Sequence, residues 1–595
     1  MYVLGVSCYY HDAAAALLHD GLLVAAAEEE RFSRKKHDYA FPEHAIRFCL
    51  EQVGIAGSDV DYVVFYEKPL VKFERILTTT LGTYPKGWRV FREAMISWFN
   101  EKLWIKGQLM SQLRVPANRV LFVDHHVSHA ASAFFCSPFE EAALLTVDGV
   151  GEWTTAALGR GTADWTGGGS SSVSLDSEIR FPHSIGLLYS AFTAFLGFRV
   201  NSGEYKVMGM APYGEPKYRD RVEQVVRLEA DGSFRLNMDY FEFTHSTEQT
   251  FSRKFIDLLG APRTPEAEFF TALTHPKRDH PDWSDAVAQR NQYYADVAAS
   301  IQRTTEEMLL RMANEAHQRT GLSKLCMAGG VALNSVANGR ILQETPFEEV
   351  FIQPAAGDSG GALGAALYAY HVLLGQPRKF VMEHAYWGKA YGEDEIERVL
   401  REQGLKYEHL SDDALTDRVV DALQREQVVA LYQGRFEWGP RALGNRSILA
   451  DPRSAAMKEV VNTKIKFREP FRPFAPVVLE DRAANYFELA QPERHFPARY
   501  MLMVKRFRDG KGEQVGAVNH MGTGRLQTVR REWNPRYFDI VHKFGDATGV
   551  PIVLNTSFNL RGEPIVTTPA NALWTFTNSG IDRLVLENFL VSKEQ

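Results

Sequence analysis

Cysteine is scarce in this chain of 595 residues: Cys8, Cys49, Cys136 and Cys326 are its four, and no two form a C-x-x-C pair. That spacing excludes zinc ribbons, thioredoxin-type redox motifs and a disulfide scaffold, and the thiols read as buried groups of a reducing compartment. Long apolar runs are missing as well. No stretch reaches the uncharged length of a membrane span, and M-Y-V-L-G-V-S-C-Y-Y-H-D has neither the basic region nor the apolar core of a signal peptide. The expected location is therefore the cytoplasm, with no membrane partner. Positive charge is not in excess either. A formal net charge of -7 argues against a nucleic-acid-binding surface over the whole chain. With 45% apolar and 24% charged residues, disorder and collagen-like classes are excluded. The length allows two to four domains.

Against these absences stands a concentrated group of metal-ligand residue types. In D-H-H-V-S-H-A-A-S-A-F-F a strand-like run from Val120 to Val123 leads into an Ala-rich helical stretch, which places His125 and His129 one turn apart on one face. Asp148 ends the strand-like A-A-L-L-T-V-D, and Asp358 sits in the glycine-rich A-A-G-D-S-G-G. Two imidazoles and two carboxylates in such places can converge on one ion, although two histidines at i, i+4 also occur on plain solvated helix faces.

The alternation of elements predicts an α/β fold. Strands at Val3 to Ser7, Ala13 to Leu18 and Leu22 to Ala27, the last two joined by H-D-G, are echoed by Leu144 to Val147, the turn D-G-V-G-E and Trp153 to Leu158. The echo predicts a duplicated domain with its ligand between the halves, as in the acetate kinase, sugar kinase and actin type of ATPase. Trp88, Phe91, Trp98, Phe99 and Trp104 read either as an amphipathic helix buried on one face or as a wall for an apolar acceptor. Residues 230–285 show little periodicity and read as an insertion. A long helix is expected from Tyr294, with Val297, Ile301, Met308 and Met312 on one face and a stop at Gly321. Gly329 and Gly330 then open a strand-to-helix turn suited to phosphate or adenosine. A break around residues 371–392 divides the chain into domains 1–378 and 379–595.

The second domain holds a basic constellation. From Arg435 to Arg472 there are nine Lys or Arg against four Asp or Glu. Arg441, Lys466, Arg468, Arg472 and Arg525 can form a fork of donors for phosphate oxygens, with Ser557 and Asn559 adding hydroxyl and amide contacts. A solvated basic face fits poorly with the glycine, proline and phenylalanine interleaved among these residues.

K-x-R at Lys466 to Arg468 followed by S-x-N at Ser557 to Asn559 resembles the signature of YrdC-like domains, and H-H-V-S-H resembles their metal-binding partner ATPase. Both in one chain, with E-E-E-R-F-S-R-K-K-H-D, E-Y-K-V-M-G-M-A-P-Y-G and G-P-R-A-L-G-N-R-S-I, are similar to the NodU/CmcH family of O-carbamoyltransferases over nearly the full length. The resemblance implies an actin/sugar-kinase-like (ASKHA) N-terminal domain and a YrdC-like α/β C-terminal domain. It implies an enzyme that activates carbamoyl phosphate with ATP and Mg2+ to carbamoyl adenylate, then transfers the carbamoyl group to a hydroxyl of a natural-product acceptor of antibiotic type. It further implies a divalent metal, Fe2+ by family habit, on His125, His129, Asp148 and Asp358, a donor set that by itself does not select iron over manganese or zinc. Catalytic candidates are Lys466, Arg441, Arg472 and Arg525, with His126 behind the metal ligands or as a base, and His11 and Asp12 facing the acceptor. Arg468, Ser557 and Asn559 are candidates for the activation substrates; Glu204, Lys206, Gly329, Gly330 and Asn334 are candidates for adenylate in the first domain. A homodimer is a candidate assembly. The competing readings are threonylcarbamoyl transfer to tRNA, which needs an extended basic stripe, and hydrogenase-maturation carbamoyl transfer, which needs zinc-finger cysteine pairs. A nucleotide-dependent binding module is the alternative without catalysis.

Overall fold

The computed structural model of the protein describes residues 1–593. Two five-stranded sheets carry the first half. One comprises β1 (Tyr2–Ser7), β2 (Ala14–His19), β3 (Leu22–Glu28), β4 (Tyr62–Phe65) and β5 (Val120–Phe122), in the order β3-β2-β1-β4-β5. The other comprises β6 (Glu141–Val147), β7 (Thr154–Thr162), β8 (Ser172–Arg180), β9 (Lys324–Ala328) and β10 (Glu349–Phe351), in the order β8-β7-β6-β9-β10. In each sheet the first three strands are antiparallel neighbours and the last two run parallel to the first. The expected duplication is thus present strand for strand, over a longer span than the short sequence echo.

Local chemistry explains the elements. Between β2 and β3, Asp20 and Gly21 adopt φ of 48° and 83°, the pair of left-handed conformations that a two-residue hairpin requires. Strand β1 is buried along Val3 to Ser7, whereas β8 alternates and turns its polar residues outward, as a sheet edge does. Three helices matter for the site: α1 (His125–Phe134), α2 (Asp285–Thr320) and α3 (Asp358–Tyr368). Helix α2 buries Val297, Ile301, Met308 and Met312 and ends at Gly321, whose φ of 68° caps it. Helices α1 and α3 follow the fifth strand of their respective sheets and pack on each other. A side chain at Gly364 would place its Cβ 1.8 Å from Ser128 O, so only glycine permits this approach.

Residues 230–285 are more than an appended insertion. Phe234, Phe241, Phe255 and Phe269 lie in the same apolar core as β1 and β6, so the segment is part of the framework. Its aromatic residues lack regular spacing because several short, separate elements and the loops between them deliver them. In the helix Trp88–Asn100, Trp98 is buried against Phe73, while Trp88, Phe99 and the following Trp104 are exposed.

The second half is built on an eight-stranded mixed sheet: β11 (Tyr407–His409), β12 (Val429–Tyr432), β13 (Arg446–Ala450), β14 (Ala475–Leu479), β15 (Gln527–Val529), β16 (Ile552–Ser557), β17 (Arg583–Leu586) and β18 (Phe589–Ser592). Their order is β11-β18-β17-β12-β13-β16-β14-β15. Both faces are covered: along β12, Ala430 and Tyr432 enter one core while Val429 and Leu431 enter another.

Candidate active site

The four expected metal ligands meet where the two halves of the duplicated unit face each other. His125 is the first residue of α1 and Asp358 the first of α3, so they occupy equivalent places in the two halves, and Asp148 follows β6 directly. His125, His129, Asp148 and Asp358 are all buried, and one donor atom from each lies within 4.8 Å of the others. The two Nε2 atoms are 3.0 Å apart; His125 Nε2 is 3.1 Å from Asp148 Oδ2, and His129 Nε2 is 3.4 Å from Asp358 Oδ1. An ion about 2.1 Å from each donor would hold neighbouring donors roughly 3.0–3.4 Å apart. Asp358 Oδ2 has no hydrogen-bond partner within the protein. Two buried carboxylates beside two imidazole edges therefore fit a divalent cation.

Without such an ion the carboxylates act on the imidazoles. Burial alone would depress His129, yet its hydrogen bonds to Asp148 and Asp358 outweigh that and raise it to about 9. His126 does not face the cluster: its Nδ1 is 2.8 Å from Thr146 Oγ1, and burial together with His125 and His129 holds it far below the ordinary value. It is a neutral neighbour of the ligands. Glu152, absent from the sequence-based candidates, accepts from the backbone N–H of His125 at 3.0 Å and from that of Lys68 at 2.8 Å, fixing the start of α1. Gly151 lies against the His125 ring so closely that a Cβ would sit 2.9 Å from it.

His11 and Asp12 lie in the β1–β2 loop, the counterpart of the loop after β6 that carries Asp148. His11 Nδ1 is 2.6 Å from Asp12 Oδ2 and its Nε2 is 3.2 Å from the carbonyl of Asn201. Both ring nitrogens thus face acceptors, which requires a proton on each. Burial opposes that charge, but Asp12, Asp358 and the Asn201 carbonyl raise His11 to about 9. In this conformation His11 holds a proton rather than taking one. His37, also missed from sequence, binds the other Asp12 oxygen at 2.8 Å, and Glu30 accepts from the His37 N–H at 2.8 Å.

The remaining first-domain candidates have separate places. Gly330 donates its N–H to Asp148 Oδ1 at 2.8 Å and so adjoins the cluster of two histidines and two aspartates. Gly329, with φ of 99°, would strike Val147 O with any side chain. Asn334 caps the helix Ser335–Glu344 and pairs with Gln302. Glu204 accepts from Asn201 N–H and Ser190 Oγ, while the Lys206 ammonium meets Glu469 of the second half at 2.7 Å. Glu204, Lys206 and Asn334 are therefore engaged in local or interdomain bonds.

In the second half the K-x-R and S-x-N residues do come together. Lys466 Nζ donates to Ser557 O, and to Asn559 O and Oδ1 at 2.8 Å each; Ser557 Oγ donates to Asn559 Oδ1 at 2.7 Å. No carboxylate pairs with this ammonium among the described residues, and burial, then Arg468, Arg472 and Lys36, push it well below the usual lysine range. Arg468 donates Nε to Asn462 Oδ1 at 2.7 Å and leaves one terminal nitrogen unpartnered. Arg525 is held well down by burial, then by Arg441, Arg468 and Arg472. Arg441 is pushed down to about 10 by burial and Arg472. Five cations crowded together with so little opposing charge make a site for a polyanion. The motif E-E-E-R-F-S-R-K-K-H-D ties the halves together here: Glu28 accepts from the Gly439 N–H, Arg31 donates to the Gly439 carbonyl, and Arg34 to those of Pro564 and Ile565.

Comparison with known proteins bears on the family of the chain. Among curated relatives, an uncharacterized protein of Synechocystis (sll1178) is 46% identical over 100% of this chain and 97% of its own length. The nodulation protein NolNO of Sinorhizobium fredii is 37% identical over 98% of this chain and 79% of its own length. A 3'-hydroxymethylcephem-O-carbamoyltransferase of Amycolatopsis lactamdurans is 35% identical over 49% of this chain and 52% of its own. The solved HypF of T. kodakarensis covers 63% of this chain and 48% of its own at 13% identity and a TM-score of 0.30, too distant to bear on function. Residues 2–367 match the family Carbamoyltransferase N-terminus and residues 420–593 the family Carbamoyltransferase C-terminus. The chain therefore belongs to the carbamoyltransferase family and is a transferase enzyme.

Proposed function

We propose that this enzyme is an ATP-dependent O-carbamoyltransferase that works in two steps at two centres, within domains 1–378 and 379–595. In the first step carbamoyl phosphate, ATP and water become carbamoyl adenylate, pyrophosphate and phosphate. The observation that carries this reading is the pocket of Arg441, Lys466, Arg468, Arg472 and Arg525, whose positive charge is left largely unopposed beside Ser557 and Asn559. Such donors stabilise the charge that develops on phosphate oxygens as pyrophosphate leaves. In the second step an acceptor hydroxyl attacks the carbamoyl carbon, the bond to AMP breaks, and the hydroxyl proton is lost.

His125, His129, Asp148 and Asp358 would hold a divalent ion, which would supply positive charge to stabilise the phosphate of the adenylate. The His11 imidazolium, oriented by Asp12, would donate a hydrogen bond to an anionic oxygen in the same space. The acceptor belongs to the hydroxylated natural products, and the reaction takes place in the cytoplasm. Among the described residues no helix is long and apolar enough to cross a membrane.

The purified enzyme with metal should release AMP and pyrophosphate from ATP only when carbamoyl phosphate is supplied. A screen of hydroxylated small molecules should find one that gains a single carbamoyl mass. Nucleotide turnover indifferent to carbamoyl phosphate would remove the basis of this assignment.

A further inference from the structure

Tyr205 stands at the cationic pocket of the second half although it belongs to the first. It lies on the helix Glu204–Met210, and the Arg472 guanidinium sits 4.7 Å from the centre of its ring. Contacts on both sides fix the helix there. Lys206 meets Glu469 at 2.7 Å, Glu469 meets Arg472 at 3.4 Å, and Gly209 lies beside Pro473, where a Cβ would be in ordinary contact with its ring at 3.4 Å. The Tyr205 ring thus has a determined place, yet among the described residues no protein group hydrogen-bonds its hydroxyl.

The charges around that hydroxyl are mostly of one sign. Arg472, Lys36, Lys206 and Arg468 act on it, and Arg441 and Arg525 feel it in turn. Glu469 is the nearby carboxylate, and Lys206 and Arg472 already engage it. Burial would raise the Tyr205 phenol, but those cations reverse the shift and leave it below the ordinary tyrosine value. A phenol in such a field is a strong donor to an anion.

We infer that Tyr205 is a substrate-binding residue of the adenylate-forming pocket, supplied across the domain boundary, and that its hydroxyl donates to a phosphate oxygen of the bound substrate. The inference rests on the two-step reading above. It makes the activation centre composite, so that the first half takes part in both steps. The phosphate belongs either to carbamoyl phosphate or to ATP.

Tyr205→Phe in the full chain keeps the ring on Arg472 and removes only the hydroxyl. The assay is carbamoyl-phosphate-dependent exchange of pyrophosphate into ATP, without acceptor. A lost hydrogen bond to a charged oxygen predicts a fall in kcat/KM of about 10-fold or more. The substrate whose KM rises identifies the phosphate that is held. Ionised Tyr205 would repel phosphate, so wild-type exchange should decline on the alkaline side below the ordinary tyrosine value, and Tyr205→Phe should shift that decline to higher pH. Lys466, also held well below its ordinary range, contributes to the alkaline limb of both proteins, so the difference between the two profiles is what reads the claim. Exchange within twofold of wild type with an unchanged alkaline limb would overturn the role of Tyr205 alone. Absence of exchange in the wild type would instead overturn the two-step reading on which it stands.

Discussion

The two centres of this protein differ in how their charge is balanced. At the junction of the duplicated sheets, two carboxylates and two imidazoles share a buried volume, and His129 is raised to about 9 by Asp148 and Asp358. In the second half, Lys466 and four arginines crowd together, and burial with the neighbouring positive charges holds Lys466, Arg441, Arg468 and Arg525 below their ordinary values. Each centre is incomplete in the opposite sense: the first calls for a cation and the second for an anion. Burying charge of one sign costs stability unless it is paired, and this contrast supports the cation proposed for the first centre and the anion proposed for the second.

The largest expected effect bears on the anion centre. Lys466→Ala removes the ammonium that gathers Ser557 and Asn559 and should lower carbamoyl-phosphate-dependent pyrophosphate exchange by about 10²- to 10³-fold. Calorimetric titration with metal should find the cation centre of that variant intact, and loss of metal binding would dissolve the contrast. Glu152→Gln probes the other centre, because Glu152 positions His125 through its backbone N–H. Metal affinity should fall about 10-fold, measured by competition with a chelator. A smaller effect concerns the seam between the halves. Lys206→Met breaks the 2.7 Å pair with Glu469 and should cost about 1 kcal/mol in a urea melt. The smallest effect is a pH dependence. His11 is raised from 6.5 to about 9, so its stabilising contribution is complete below pH 6.5 and disappears as the pH rises through about 9. Wild type should therefore lose more stability than His11→Asn over that interval; equal losses would show that Asp12 does not hold the imidazolium.

The ease of reading these centres from sequence followed the range of the interactions. His125 and His129 were legible because helical spacing places i and i+4 on one face. Asp148 was legible because it ends a strand at a glycine-bearing turn, and Asp358 because it sits in the glycine-rich A-A-G-D-S-G-G. The basic pocket was legible as a local excess of charge. The duplication showed only as one echoed hairpin, since the pairing of β4, β5, β9 and β10 is non-local and leaves no period in the chain. Glu152, His37 and Tyr205 were missed for another reason. They act through one backbone N–H, one shared carboxylate and one stacked guanidinium, and none of these leaves a pattern in sequence. For Tyr205 and His37 the only signal was their place in E-Y-K-V-M-G-M-A-P-Y-G and E-E-E-R-F-S-R-K-K-H-D, two of the motifs that carry the family resemblance. Lys206 stood out for its charge, which serves the seam between halves rather than a nucleotide. The aromatic residues within 230–285 enter the core from short, separate elements and loops, too brief for a period to register.

The central claim is that activation and transfer belong to separate centres in one chain. Pyrophosphate exchange into ATP, measured in His129→Ala with carbamoyl phosphate and no acceptor, tests it most directly. The account predicts exchange within about threefold of wild type together with loss of carbamoyl transfer to the acceptor, a difference small on the scale of 1.4 kcal/mol per factor of ten. Exchange lost in His129→Ala as completely as in Lys466→Ala would contradict it.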